Sequence, residues 1–99
     1  MTNPPRWHKQ VRREFKDILA RLGLADWTVT MLDHRPPNCY HAAIDYDAPR
    51  KRVVCWWQSK PSRRVMVHEA LHCLVADIEE QIVERLERPI TALLEECEQ

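Results

Sequence analysis

Val65-Met66-Val67-His68-Glu69-Ala70-Leu71-His72-Cys73-Leu74-Val75-Ala76 is apolar at nine of its twelve positions and contains neither Gly nor Pro. Such a run predicts a helix buried over most of its circumference rather than an amphipathic surface helix. Its three polar residues, His68, Glu69 and His72, are therefore the ones that need an explanation.

A helix turns about 100° and rises about 1.5 Å per residue, so His68 and His72 stand one above the other on one face. Two imidazoles so placed can hold one metal ion. Glu69 is rotated off that face, where it can reach a water on the metal instead of the metal itself. Two hydrogen-bonded core histidines are the plainer alternative, but they leave a buried carboxylate without compensation, whereas a divalent cation pairs all three groups. The spacing His-Glu-x-x-His is that of zinc peptidases, and zinc is the expected cofactor.

Upstream, Val53-Val54-Cys55-Trp56-Trp57 lies in a strand predicted over Arg52 to Gln58, central and covered on both faces. A strand from Tyr40 to Tyr46 precedes it, joined by the five residues Asp47 to Lys51 as a β-hairpin. Trp27 to Met31 alternates apolar and polar residues and predicts a half-buried strand, followed by a loop over Asp33 to Asn38. Before that, Trp7, Val11, Phe15, Ile18 and Leu22 recur at helical spacing, with Asn3 and Pro4 as the start signal and Gly23 as the left-handed C-terminal cap. Ser59 or Ser62 caps the central helix. Beyond it, Ile82, Val83, Leu86, Ile90, Leu93, Leu94 and Cys97 predict a further helix, kinked or restarted at Pro89. The expected fold class is α+β, a single domain over 1–99: an N-terminal helix, a three-stranded sheet, the buried His-Glu-x-x-His helix and a C-terminal helix.

With one Gly among 99 residues, a phosphate-cradling Gly-rich loop is excluded. No stretch has the length or apolarity of a membrane span or of a signal peptide, which predicts a cytoplasmic chain with no membrane partner. Cys39, Cys55, Cys73 and Cys97 form no Cys-x-x-Cys pair and are expected as free buried thiols. Net charge is zero but lopsided: thirteen Lys or Arg against six acids through Arg64, then two against nine. Complementarity between the halves accounts for this, with a basic nucleic-acid surface as the sharper alternative.

An open catalytic zinc site takes a third protein ligand, for which Glu79, Glu80, Glu84, Cys39, Cys55, His34 and His41 are candidates. On a straight continuation of the helix Glu79 would lie about 10 Å beyond His72, so the chain must turn near Asp77 and return. Taken with Leu22-Gly23-Leu24-Ala25-Asp26-Trp27-Thr28-Val29 and Glu79-Glu80-Gln81-Ile82-Val83-Glu84-Arg85-Leu86, the His-Glu segment resembles the gluzincin group of zinc peptidases, in particular its very small phage-type and bacterial members. That resemblance implies Glu80 as third ligand and Glu84 as the acid supporting His68, with Glu84 as the alternative ligand. Glu79 and Glu87 are expected on a solvated, salt-bridging face.

The resemblance further implies an endopeptidase acting on a narrow set of protein or peptide substrates. Zinc activates water, Glu69 is the general base, and a His or Tyr steadies the oxyanion. His41 and Tyr46 on the second strand are the leading candidates for that last role, beside Tyr40 and His34. The second strand is expected to be an exposed edge where an extended substrate can pair. The competing function is a DNA-associated regulator with a structural or vestigial zinc site, using the basic face of helix one and Arg50-Lys51-Arg52 with Trp56 and Trp57. A deformylase with a Cys ligand lacks its glycine-rich and Cys-containing motifs here.

Overall fold

The computed structural model describes residues 5–75 and 79–97. Its elements are α1 (Trp7–Arg21), β1 (Thr28–Met31), β2 (Ala42–Asp47), β3 (Arg52–Trp57), α2 (Arg63–Leu74) and α3 (Glu80–Cys97). The class is α+β, as the patterning predicts. β3 is the middle strand, parallel to β1 and antiparallel to β2, in the order β1-β3-β2. Both β1 and β2 are therefore edges.

The apolar run of β3 divides by the period of two that a strand imposes. Val53, Cys55 and Trp57 enter the main core with Phe15, Val67 and Leu71, whereas Val54 is half-buried and Trp56 is buried outside that core. The two faces are thus not equivalent, and the helices cover only one of them. α1 packs on β1 and α2, and α2 packs on β2 and α3. Phe15 is fully buried against Trp57, with ring centroids 6.1 Å apart.

α1 buries Val11, Phe15, Ile18 and Leu19, with His8 at its start. It ends in a Schellman arrangement: Gly23 N–H bonds Ala20 O at 3.0 Å and Leu24 N–H bonds Leu19 O at 2.8 Å, with Gly23 at φ +87°. A Cβ on Gly23 meets nothing within 4 Å, so only the backbone conformation penalises a side chain there. Gly23→Ala is expected to lower unfolding free energy by about 1–2 kcal/mol in urea titration, with Gly23→Asn less costly. An unchanged midpoint for the Ala variant would mean that the cap does not hold the helix end. The start signal at Asn3 and Pro4 lies outside the described residues; the described helix begins at Trp7 after Arg6, which makes no side-chain cap.

β1 begins at Thr28 rather than Trp27, β2 at Ala42 rather than Tyr40, and β3 ends at Trp57 rather than Gln58; three further points differ from the sequence reading. Asp47 pairs with Arg52 as the last rung of the hairpin, leaving four residues, Ala48 to Lys51, in the connection. α3 continues through Pro89 without restarting; Val83 before the proline and Leu94 after it are both buried, and Arg21 Nη1 donates to Leu94 O at 3.5 Å. On α2, Val65 and Leu74 are exposed, as is Val75 at its end, so its buried arc is narrower than the apolar run suggests. Cys55 and Cys73 are buried free thiols and Cys39 is half-exposed, while the Cys97 side chain lies outside the described residues. No helix among the described residues is long and apolar enough to cross a membrane.

Candidate metal centre

Ser62 starts α2, its Oγ accepting the Val65 N–H at 3.2 Å. Met66, Val67, Ala70, Leu71 and Cys73 bury one side of the helix. At about 100° per residue that arc points away from His68 and His72, which face α3 instead. Glu69 falls between the two, half-buried at the border. Val75 takes an extended conformation that ends the helix, and α3 returns antiparallel alongside it. The turn near Asp77 lies outside the described residues.

This return brings Glu80 to the histidines. Its Oε1 is 2.5 Å from His68 Nε2 and its Oε2 is 2.9 Å from His72 Nε2. One ligand atom from each of His68, His72 and Glu80 lies within 4.8 Å of the others. Glu80 is the first residue of α3, where the positive end of the helix dipole favours a carboxylate. The two rings are 5.1 Å apart between centroids.

The other side of His68 departs from expectation. Its Nδ1 lies 2.7 Å from Glu87 Oε2, and Glu87 Oε1 is 3.8 Å from Arg64 Nε. Glu84, expected in that place, is exposed, and no hydrogen bond or ion pair joins it to either histidine among the described residues. The reason is rotational. Four residues of α3 rise about 6 Å, as far as His72 lies from His68, so Glu84 reaches that level but turns off the face of Glu80, whereas seven residues make about two turns and bring Glu87 back to it. Glu87, assigned to a solvated face by sequence, is instead the group that fixes His68. Its signal was the spacing of Glu80 and Glu87, about 20° out of register against about 40° for Glu80 and Glu84.

The donor set tests well against a divalent ion. When Nδ1 of His68 donates to Glu87, its Nε2 presents a lone pair towards the Glu80 carboxylate, so acceptors meet acceptors unless a cation stands between them. Two imidazole nitrogens and a carboxylate are the set of an open zinc site, and a carboxylate on the far nitrogen is the usual support of a metal-bound histidine. Without an ion a proton serves. Burial opposes charge on His68, but the Glu87 hydrogen bond and the nearby Glu80 and Glu69 outweigh it, and its pKa is raised. Glu69 is also raised, chiefly by burial and further by Glu80, against the pull of both histidines.

Of the four oxyanion candidates, Tyr46 is the one in contact with the centre, its ring stacked on His72 at 6.0 Å with 12° between planes. His41 precedes β2 and is exposed. Five residues from Tyr46, it sits about 16 Å along the strand line, with the opposite parity. Tyr40 is exposed, and His34 is exposed beside Asp33. A cavity of about 270 Å³ adjoins His68 and Glu69, walled by Arg64, Val65 and Glu87.

Of the residues named for the alternative nucleic-acid surface, the basic face of α1 is exposed, while those of the β3 region are not presented together. Trp56 and Trp57 are buried, Arg50 faces Asp47, and Lys51 pairs with Asp26. Comparison with protein-family models, curated proteins and solved structures gives no match.

Proposed function

We propose that the chain is a zinc-dependent endopeptidase, a minimal relative in kind of the gluzincins. The observation that carries this reading is the convergence of His68, His72 and Glu80 with Glu69 half-buried beside them. Bound there, zinc supplies Lewis-acid chemistry, polarising a carbonyl and acidifying water.

The remaining work falls to the chain. Glu87 holds Nδ1 of His68, which keeps Nε2 as the ligating atom. Glu69, its basicity increased by burial, takes a proton from the attacking water and passes it to the leaving amine. Tyr46, whose ring packs on His72, donates its hydroxyl to the developing oxyanion in this reading. β2, an open edge packed beside α2, offers backbone groups to an extended substrate.

Elemental analysis of untagged protein tests the metal. One zinc per chain is expected, lost in Glu80→Ala and held about 10–100-fold more weakly in Glu87→Gln. A folded wild-type chain that cannot be loaded with zinc would overturn the proposal, and unaltered affinity in Glu87→Gln would remove Glu87 from the support of His68. Hydrolysis is then assayed on unstructured polypeptides.

A further inference from the structure

α3 is apolar over a wider arc than the rest of the chain covers. Measured around the helix from Ile82, Leu93 falls at about 20°, Leu86 at about 40°, Ile90 at about 80°, Val83 at about 100° and Leu94 at about 120°. The far half of that arc packs on the body: Val83 and Leu94 are buried, and Ile90 is half-buried against the core. The near half is open. Ile82 is 43% exposed, Leu86 38% and Leu93 59%, and Pro89, about 20° to the other side of Ile82, is exposed with them. The four make one stripe about 16.5 Å long rather than scattered single residues.

The solvent flank of this stripe carries one charge of each sign. Arg85 and Glu96 lie about 60° and 40° before Ile82, on the same side of the stripe, Arg85 in its first half and Glu96 just beyond Leu93. Both are exposed, and neither has an ion-pair partner among the described residues. Eleven residues, about 16.5 Å of helix, separate them, so they cannot meet within one copy.

We infer that the stripe is a self-association surface, on which α3 of a second copy packs antiparallel about a two-fold axis at Pro89. With Pro89 on the axis, Leu86 stands about 1.5 Å from level with Leu93 of the second copy, and the same contact repeats in the other direction. Ile82 is level with Glu96 of the second copy and covers its methylenes. Arg85 lies about 4.5 Å along the axis from that same Glu96, within reach of its carboxylate, and this pair also forms twice. Charge complementarity selects the occupant. Parallel packing would set Arg85 on Arg85 and Glu96 on Glu96, and an unrelated amphipathic helix satisfies the leucines but not the order of the charges. One helix pair of three turns stays below the roughly 800 Å² a side of a standard interface, so the dimer is weak and reversible. Glu80 and Glu87 stand about 100° or more around α3 from Leu86, so the metal centre is left open and the surface does not depend on it.

Sedimentation of the full, untagged chain across the micromolar to millimolar range tests the inference. A reversible monomer–dimer equilibrium is expected, weakened about tenfold or more in Leu93→Glu and about threefold or more in either Arg85→Glu or Glu96→Arg. An equimolar mixture of those two charge variants should associate about as strongly as wild type, because each supplies the charge that the other lacks. The double variant should do the same by itself. Unchanged circular dichroism of each variant keeps a folding defect from passing for lost association. A chain that stays monomeric at millimolar concentration would overturn the inference and leave the stripe to another protein's helix. A dimer unaffected by Leu93→Glu would place the contact elsewhere, and a mixture no stronger than its components would rule out the antiparallel register.

Discussion

Glu69→Gln is expected to lower peptide hydrolysis by about 10²–10⁴-fold, or roughly 3–5 kcal/mol of transition-state stabilisation, while leaving zinc stoichiometry at one per chain. The substitution keeps the volume of the side chain and removes the group that moves the proton. Glu69 is not among the three groups that converge as ligands, so the metal should stay. Nor should the fold suffer: burial is the main cause that raises the Glu69 pKa, and a neutral amide avoids that penalty. Thermal unfolding of the zinc-loaded variant is therefore expected at or above the wild-type temperature. Activity retained within a factor of three would exclude Glu69 as general base, and zinc lost together with activity would mean that it ligates.

The largest structural effect is expected at Phe15. Fully buried between α1 and the sheet and against Trp57, it is truncated by Phe15→Ala at an expected cost of about 3–5 kcal/mol. A domain of this size has about 5–15 kcal/mol in total, so the variant should be close to unfolding at 37 °C. Leu93→Ala is the control, since Leu93 is 59% exposed and its truncation should change stability by about 0.5 kcal/mol or less. Urea titration monitored by tryptophan fluorescence separates the two. A Phe15→Ala loss under about 1 kcal/mol would mean that α1 is not anchored where the packing places it.

Local rules made much of this molecule readable. Helical spacing placed His68 and His72 on one face, alternation found the first strand and an unbroken apolar run the central one, and the single glycine marked the end of α1. What stayed hidden turns on which residues share a face. Which glutamate meets His68 follows from the face it shares with Glu80: Glu87 returns to within about 20° of that face, whereas the gluzincin resemblance points four residues on, to Glu84, about 40° round. The strand period could have gone further than it did. Five residues separate His41 from Tyr46, an odd number, so the two belong to opposite faces and could not serve one centre. The same period divides Trp56 from Trp57, so only Trp57 joins the main core.

His68, His72, Glu80 and Glu87 fall within twenty consecutive residues. The contacts that define the centre are therefore local, and closing so short a loop costs little chain entropy. Pairing β1 with β3 brings together residues twenty-four apart with β2 looped between them, a slower kind of contact to form. The α2–α3 unit can accordingly assemble early, as a hairpin of helices whose inner faces carry three carboxylate and imidazole pairings. If the proposed zinc is captured at that stage, it would act on the folding rate as well as on the final stability.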